Sequence, residues 1–234
     1  MSVYAISDLH LSFGTDKPMN VFRGWDNHTE RIAANWKRLV KENDTVILPG
    51  DLSWALKLEE AVEDFRFINS LPGKKIILKG NHDFWWSTVK KIKVFLEENK
   101  FDTIDILFNN SFYFEDFFVC GSRGWVYDGS GEVDEKIIRR ECGRLELSIN
   151  SAKKFAEEKN IPINEIVVFL HYPPVYRDYV CEPIIDILKK HEIKRIYYGH
   201  IHGSGKIYAP SEFENIEMRL ISCDCVDFTP VFID

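Results

Sequence analysis

No two cysteines in this chain form a Cys-x-x-Cys pair, and the five present (Cys120, Cys142, Cys181, Cys223 and Cys225) are odd in number. That excludes a Cys-paired structural zinc site and argues against a disulfide framework; reduced thiols in a cytoplasmic protein are expected. Cys223 and Cys225, two apart, would share one face of a strand and serve packing. No apolar run approaches the roughly 20 residues that cross a bilayer, so no membrane segment is expected. The N-terminus runs into a strand pattern almost at once, which leaves no room for a signal peptide. Positive charge is also short. Lys and Arg number 30 against 37 Asp and Glu, a net charge of −7, which argues against broad binding of duplex nucleic acid but allows a local basic pocket for one phosphate. Repeats, low-complexity tracts and Ser/Gly-rich linkers are absent, so residues 1–234 read as a single domain. Hydrophobic content of 45% and aromatic content of 14% suffice for a sizeable core.

What is present is a series of short apolar runs, each ending on an acidic or metal-binding residue. Val3–Ser7 leads into Asp8-Leu9-His10, and Thr45–Pro49 into Gly50-Asp51. Lys75–Lys79 leads into Gly80-Asn81-His82-Asp83, Ile166–Leu170 into His171, and Arg195–Tyr198 into Gly199-His200-Ile201-His202. Five of the seven histidines lie in these endings. Such β-branched and aromatic runs fit strands buried on both faces. Ligands at the trailing ends of adjacent strands can converge on one rim of a sheet, where open α/β folds place their sites.

Strand and helix patterns alternate through the first hundred residues, with helices expected at about 29–41, 58–69 and from Trp85 through Leu96. This βαβα order predicts a largely parallel sheet covered by helices. Short strands are expected at 104–107, 111–114 and 117–121, followed by a long helix at about 134–159. Its Arg139, Arg140 and Arg144 are expected on a solvated face. The tail predicts strands at 166–170, 195–198, 206–208, 216–221 and 230–233, with a helix at 183–191. His28 and His191 stand in charged, helical surroundings and are expected at the surface.

Asp8, His10, Asp51, Asn81, His171, His200 and His202 offer carboxylates, imidazoles and one amide oxygen. That mixture suits borderline divalent ions, Mn²⁺ first and Fe²⁺ or Zn²⁺ as alternatives, rather than Ca²⁺ or a Zn–Cys site. Seven ligands exceed one tetrahedral ion and suit two ions sharing a bridging group. The ordered series Asp-x-His, Gly-Asp, Gly-Asn-His-Asp, His and Gly-His-x-His resembles the signature of the calcineurin-like metallophosphoesterase superfamily. The resemblance implies an α/β fold, a four-layer α/β/β/α sandwich with two central mixed sheets. It also implies one ion on Asp8, His10, Asp51 and His202, and a second on Asp51, Asn81, His171 and His200, with Asp51 bridging. In that family a hydroxide bridging the ions attacks phosphorus in line. His82, kept off the metals, acts as general acid, and Asp83 could orient it. The glycines at 50, 80 and 199 are expected to let the chain turn off each strand.

The segment Gly50-Asp51-Leu52-Ser53-Trp54 lacks the Asp-Arg that protein phosphatases of the superfamily carry there. This departure favours its phosphodiesterase-like, small-molecule branch. The expected substrate is thus a small phosphomonoester, phosphodiester or nucleotide. A nuclease of the same fold is the alternative, and a non-catalytic scaffold the third reading, disfavoured by the complete ligand series. Trp54 could stack on a substrate ring. Arg123, in the glycine-flanked Gly121-Ser122-Arg123-Gly124-Trp125, could grip a phosphate. Loops 11–28 and 122–133 are expected to shape the substrate pocket.

Overall fold

The computed structural model describes residues 1–125 and 135–233. In chain order its elements are β1 (Val3–Ala5), α1 (His28–Leu39), β2 (Thr45–Leu48), α2 (Val62–Ser70), β3 (Lys74–Ile77), α3 (Val89–Glu98) and β4 (Ile104–Ile106). Then follow β5 (Phe112–Phe114), β6 (Phe117–Ser122), α4 (Glu135–Lys159), β7 (Ile166–Leu170), β8 (Val175–Tyr176), β9 (Tyr179–Val180) and α5 (Glu182–Lys190). The chain closes with β10 (Arg195–Tyr198), β11 (Glu212–Phe213), β12 (Ile216–Leu220) and β13 (Val231–Ile233). The chain divides into two compact units, the first comprising Met1–Ile106 with Ile221–Asp234 and the second Leu107–Leu220.

The first unit holds a five-stranded sheet in the order β13-β1-β2-β3-β4. β1, β2, β3 and β4 run parallel, and β13 closes the edge antiparallel to β1. Three crossover helices are what parallel neighbours require, and α1, α2 and α3 supply them in turn. Each helix buries one stripe: Ile32 and Trp36 on α1, Phe65 and Ile68 on α2, Ile92, Phe95 and Leu96 on α3. All four residues of β2 are buried, as a central parallel strand demands.

The second unit holds a six-stranded mixed sheet, β11-β12-β10-β7-β6-β5. β12, β10, β7 and β6 are parallel, with antiparallel β11 and β5 at the edges. α4 packs on β6 and on α5, burying Ile138, Leu145, Ile149, Ala152 and Ala156 into a core that includes Val168, Ile184, Leu188 and Ile196. The α/β class with two mixed sheets is therefore as expected. Among the described residues, no helix is long and apolar enough to cross a membrane.

Several local expectations need correction. Residues 206–208 are not a strand but part of a 3₁₀ helix, Gly203–Tyr208, held by Gly205 N–H to the His202 carbonyl (3.0 Å) and Ala209 N–H to that of Lys206 (3.2 Å). The run Lys206-Ile207-Tyr208 has no sheet edge of its own, because β12 pairs with β10 and β11 instead. Cys223 and Cys225 likewise lie on a 3₁₀ turn, Cys223–Val226, so strand alternation does not apply to them. All five cysteines are free thiols. His28 is buried against the rings of Trp25 (5.5 Å) and Phe228 (6.5 Å), and burial holds its imidazole below the usual pKa. The His191 side chain is largely covered, with Nε2 2.8 Å from Glu146 and Nδ1 2.8 Å from Lys153. A charged helical context does not prevent a histidine from packing when aromatic or acidic partners come from other elements.

Candidate functional site

Strand register explains how residues far apart in sequence come together. In the first unit Ala5 pairs with Ile47 and Leu48 with Ile77, so β1, β2 and β3 end together. Asp8, Asp51 and the Asn81-His82 pair thus leave neighbouring strands at one edge of the sheet. Asp8 places a carboxylate oxygen within 4.8 Å of a His10 ring nitrogen, and another approach of the same range reaches Asp51. His10 Nε2 lies 3.9 Å from Asp51 Oδ2. Asp8, His10 and Asp51 are all buried.

The backbone is strained where these candidate ligands sit. Asp8 (φ 61°), His10 (φ 45°) and Asp51 (φ 54°) all occupy the left-handed region, with Gly50 at φ 101° beside them. Left-handed non-glycine residues cost about 1–2 kcal/mol each and cluster at functional sites. Gly80 is required for a different reason: a Cβ there would lie 2.1 Å from Asp51 Oδ1. The gap it leaves is where the Asp51 carboxylate fits.

Two buried acids on other elements hold this arrangement. Asp83 Oδ2 accepts from the N–H groups of Asp51 (2.9 Å) and Gly80 (2.7 Å). Its Oδ1 accepts from Leu52 N–H (2.8 Å), Ser53 N–H (3.4 Å) and Trp85 Nε1 (3.0 Å). A carboxylate has about four lone-pair sites, so Asp83 is saturated as a clamp between the loops after β2 and β3. Burial pushes its pKa up, against the opposing pull of those N–H donors. Asp64 on α2 plays the same part, accepting from Phe13 N–H (2.7 Å) and from the Ser53 hydroxyl. Burial raises its pKa too. Sequence reading missed Asp64, whose only signal is an acid at the start of α2 facing inward. It also missed Cys223, whose thiol donates to the Asp8 carbonyl at 2.9 Å.

His82 is half-buried, and its backbone N–H donates to Asp51 Oδ1 at 2.8 Å. The Trp54 ring lies 4.4 Å from the His82 ring and stacks on His10 at 4.9 Å. Phe84 is exposed beside His82, at 6.2 Å between rings. Trp85 is core, edge-on to Phe65 at 4.9 Å.

The second unit repeats the strand-end logic. Ser122 pairs with Leu170 and Leu170 with Tyr198, so β6, β7 and β10 end together. Arg123, His171 and His200 leave those three adjacent ends. The His171 and His200 rings are 5.4 Å apart, and the Tyr172 ring lies 4.4 Å from His200. His200 takes φ 71°, so the left-handed turn falls on the histidine itself, whereas Gly199 keeps an ordinary backbone. His202 follows, half-buried, at the N-terminal end of the 3₁₀ helix. The Arg123 carbonyl accepts from both His171 N–H (3.1 Å) and Tyr172 N–H (2.9 Å). Its guanidinium lies beside Trp125 (5.1 Å) and 3.7 Å from buried Glu141. Of the loops expected to shape a pocket, 126–133 lie outside the described residues.

The donor set fits divalent cations. Two carboxylates out of water within 4.8 Å of each other repel; a cation between them converts that repulsion into attraction. Imidazoles and carboxylates suit such an ion, and Asp8, His10, Asp51 and His200 are pre-positioned by left-handed backbone.

Solved structures with the same fold include a protein of unknown function, AQ665, from Aquifex aeolicus, at 19% identity. That match covers 99% of this chain and 95% of the other, with a TM-score of 0.52. TT1561 of Thermus thermophilus matches over 99% of this chain and 97% of its own, at 13% identity and a TM-score of 0.52. No curated protein matches the chain in sequence. The family model described as calcineurin-like phosphoesterase matches residues 1–204. With its motifs on the strand ends where such a hydrolase needs them, the chain belongs to the calcineurin-like phosphoesterases, metal-dependent hydrolases of phosphoric esters.

Proposed function

We propose that this chain is a dinuclear-metal phosphoesterase acting on a small phosphomonoester, phosphodiester or nucleotide. Asp8, His10, Asp51 and His202 would hold one ion, and Asp51, Asn81, His171 and His200 the other, with Mn²⁺ the first choice. Bound there, two such ions would supply Lewis acidity to the phosphoryl oxygens and lower the pKa of a nucleophilic water.

The protein's own part centres on His82. The bond from the His82 backbone N–H to Asp51 Oδ1 (2.8 Å) is the observation that carries the reading, because it holds the loop bearing a half-buried imidazole against the carboxylate proposed to bridge. Held there, the imidazolium can deliver a proton to the departing ester oxygen as the P–O bond breaks, and its charge favours the developing phosphorane. Trp54 confines the ring from one side, 4.4 Å away, and leaves an aromatic face for the leaving group. Asp83 positions both loops through the N–H bonds it accepts. The absence of an Asp-Arg after Gly50-Asp51 supports a small-molecule substrate over a phosphoprotein.

The test is hydrolysis of p-nitrophenyl phosphate, bis-p-nitrophenyl phosphate and cyclic nucleotides with added Mn²⁺ and with chelator. His82→Ala should keep its metal yet lose turnover by about 10²–10⁴-fold. Activity undiminished by chelator would reject the metal mechanism, and metal lost from His82→Ala would reject its assignment as the acid.

A further inference from the structure

Three arginines of the second unit converge on one buried carboxylate, and their charges do not balance. Glu141, on α4, has a fully buried side chain. Arg144 donates to its Oε1 at 2.7 Å. Arg140 and Arg123 approach the same oxygen only to 3.6 and 3.7 Å, outside hydrogen-bond range. Among the described residues, Arg123 Nε is buried without a hydrogen-bond partner. Arg140 and Arg123 have no other acidic partner within ion-pair distance among the described residues. Among the described residues, one negative charge, whose Oε2 is likewise buried without a hydrogen-bond partner, thus faces three positive ones.

A purely structural ion pair would need one arginine. The two extra guanidiniums repel each other and Arg144, a cost that persists unless an anion offsets it. Their exposure is graded: 14% for the Arg123 side chain, 27% for Arg144 and 52% for Arg140. The group therefore runs from a fixed inner end to an open outer end. The inner end is rigid because the Arg123 backbone carries the His171 and Tyr172 N–H bonds. Tyr172 lies between, with its ring 5.8 Å from the Arg123 guanidinium and 5.2 Å from the His171 ring. The Tyr172 ring is thus near both the Arg123 guanidinium and a proposed metal ligand on the same unit.

Resting on the phosphoesterase reading above, we infer that Arg123, Arg140 and Arg144 form a second anion site, one that takes a dianionic phosphate carried by the substrate away from the ester that is cut. Planar guanidiniums with unused donors match phosphate oxygens in pairs. The substrate class is then a small molecule with at least two phosphate groups, such as a nucleoside diphosphate or a bisphosphate.

The test uses the full chain. In chelator-treated protein, inorganic pyrophosphate should raise the melting temperature of the wild type and of Arg139→Gln. Arg139 lies on the same helix but 81% exposed and paired with Glu135, and so controls for general charge loss. In R140Q/R144Q that rise should be lost. With Mn²⁺, the wild type should prefer a nucleoside diphosphate to the monophosphate, and the ratio of their kcat/KM values should fall about 10–100-fold in R140Q/R144Q, the loss of one or two charge-assisted hydrogen bonds. A pyrophosphate shift lost in R140Q/R144Q while that variant keeps the wild-type ratio of kcat/KM values would place a free ion there instead of a substrate group and overturn the inference. So would a pyrophosphate shift retained in R140Q/R144Q, or absent from the wild type. Should R140Q/R144Q not fold, Arg140→Lys keeps the charge without the fork, and an unaltered kcat/KM ratio in it overturns the inference equally. If Mn²⁺-loaded wild type cleaves no ester, the phosphoesterase reading fails, while the pyrophosphate shift still decides the arginine site.

Discussion

Asp83→Asn removes one charge and almost no volume, and the geometry of its five N–H donors fixes what it should cost. The least harmful orientation turns the new amide nitrogen toward the Oδ2 side, where the N–H groups of Asp51 and Gly80 now donate at 2.9 and 2.7 Å. Both donors then face a donor. Losing two charge-assisted hydrogen bonds in a buried place costs about 3–6 kcal/mol. A neutral amide is easier to bury than a carboxylate whose pKa burial already pushes up, which offsets part, leaving roughly 2–4 kcal/mol net. Against a total stability of about 5–15 kcal/mol this is a large share. Urea denaturation of metal-free protein at neutral pH measures it, and metal analysis of the same variant after reloading with Mn²⁺ should find fewer ions per chain than in the wild type, because Asp51 loses its backbone anchor. A midpoint shift worth under about 1 kcal/mol, with metal content intact, would refute the clamp.

Gly80→Ala should lower metal content and activity together, since its Cβ would lie 2.1 Å from Asp51 Oδ1; wild-type metal content in a folded variant would show that the Asp51 carboxylate has room to move. Lys75 is buried, donating to the carbonyls of Asn69 and Leu71 and to Thr103, and burial lowers its pKa from 10.5 to about 8. The folded state therefore resists the cation, so the stability deficit from Lys75 is full below pH 8 and disappears as pH rises toward 10.5. Lys75→Met, compared with wild type, should change in relative stability by about 3 kcal/mol across that window; the comparison cancels the rising thiols, and a difference flat with pH would reject it.

The strands that carry the site were the most legible elements, because Thr45–Leu48, Ile166–Leu170 and Arg195–Tyr198 are near-continuous apolar runs flanked by polar punctuation. Their order in the sheets follows from parallel crossovers, which periodicity alone does not number. The candidate ligands were readable as residue types at strand ends, where the structure places them. The acids behind it were not: Asp64 and Glu141 look like any helical carboxylate until tertiary contacts place them in the interior. Arg139 and Arg140 are exposed, as expected, whereas Arg144 is partly covered because the carboxylate it binds has the pattern of a surface position. Lys206–Tyr208 failed as a strand because a β-prone triplet without a free edge takes the local i+3 hydrogen bonds instead.

The left-handed residues at Asp8, His10, Asp51 and His200 have an evolutionary corollary. Glycine, or in part asparagine, would relax the chain at each of these positions, so the sequence most comfortable in this fold is one that has forgotten its chemistry. Directed evolution rewarding heat resistance alone should erode those four positions first, and a thermostable library from this scaffold needs a turnover selection running beside it.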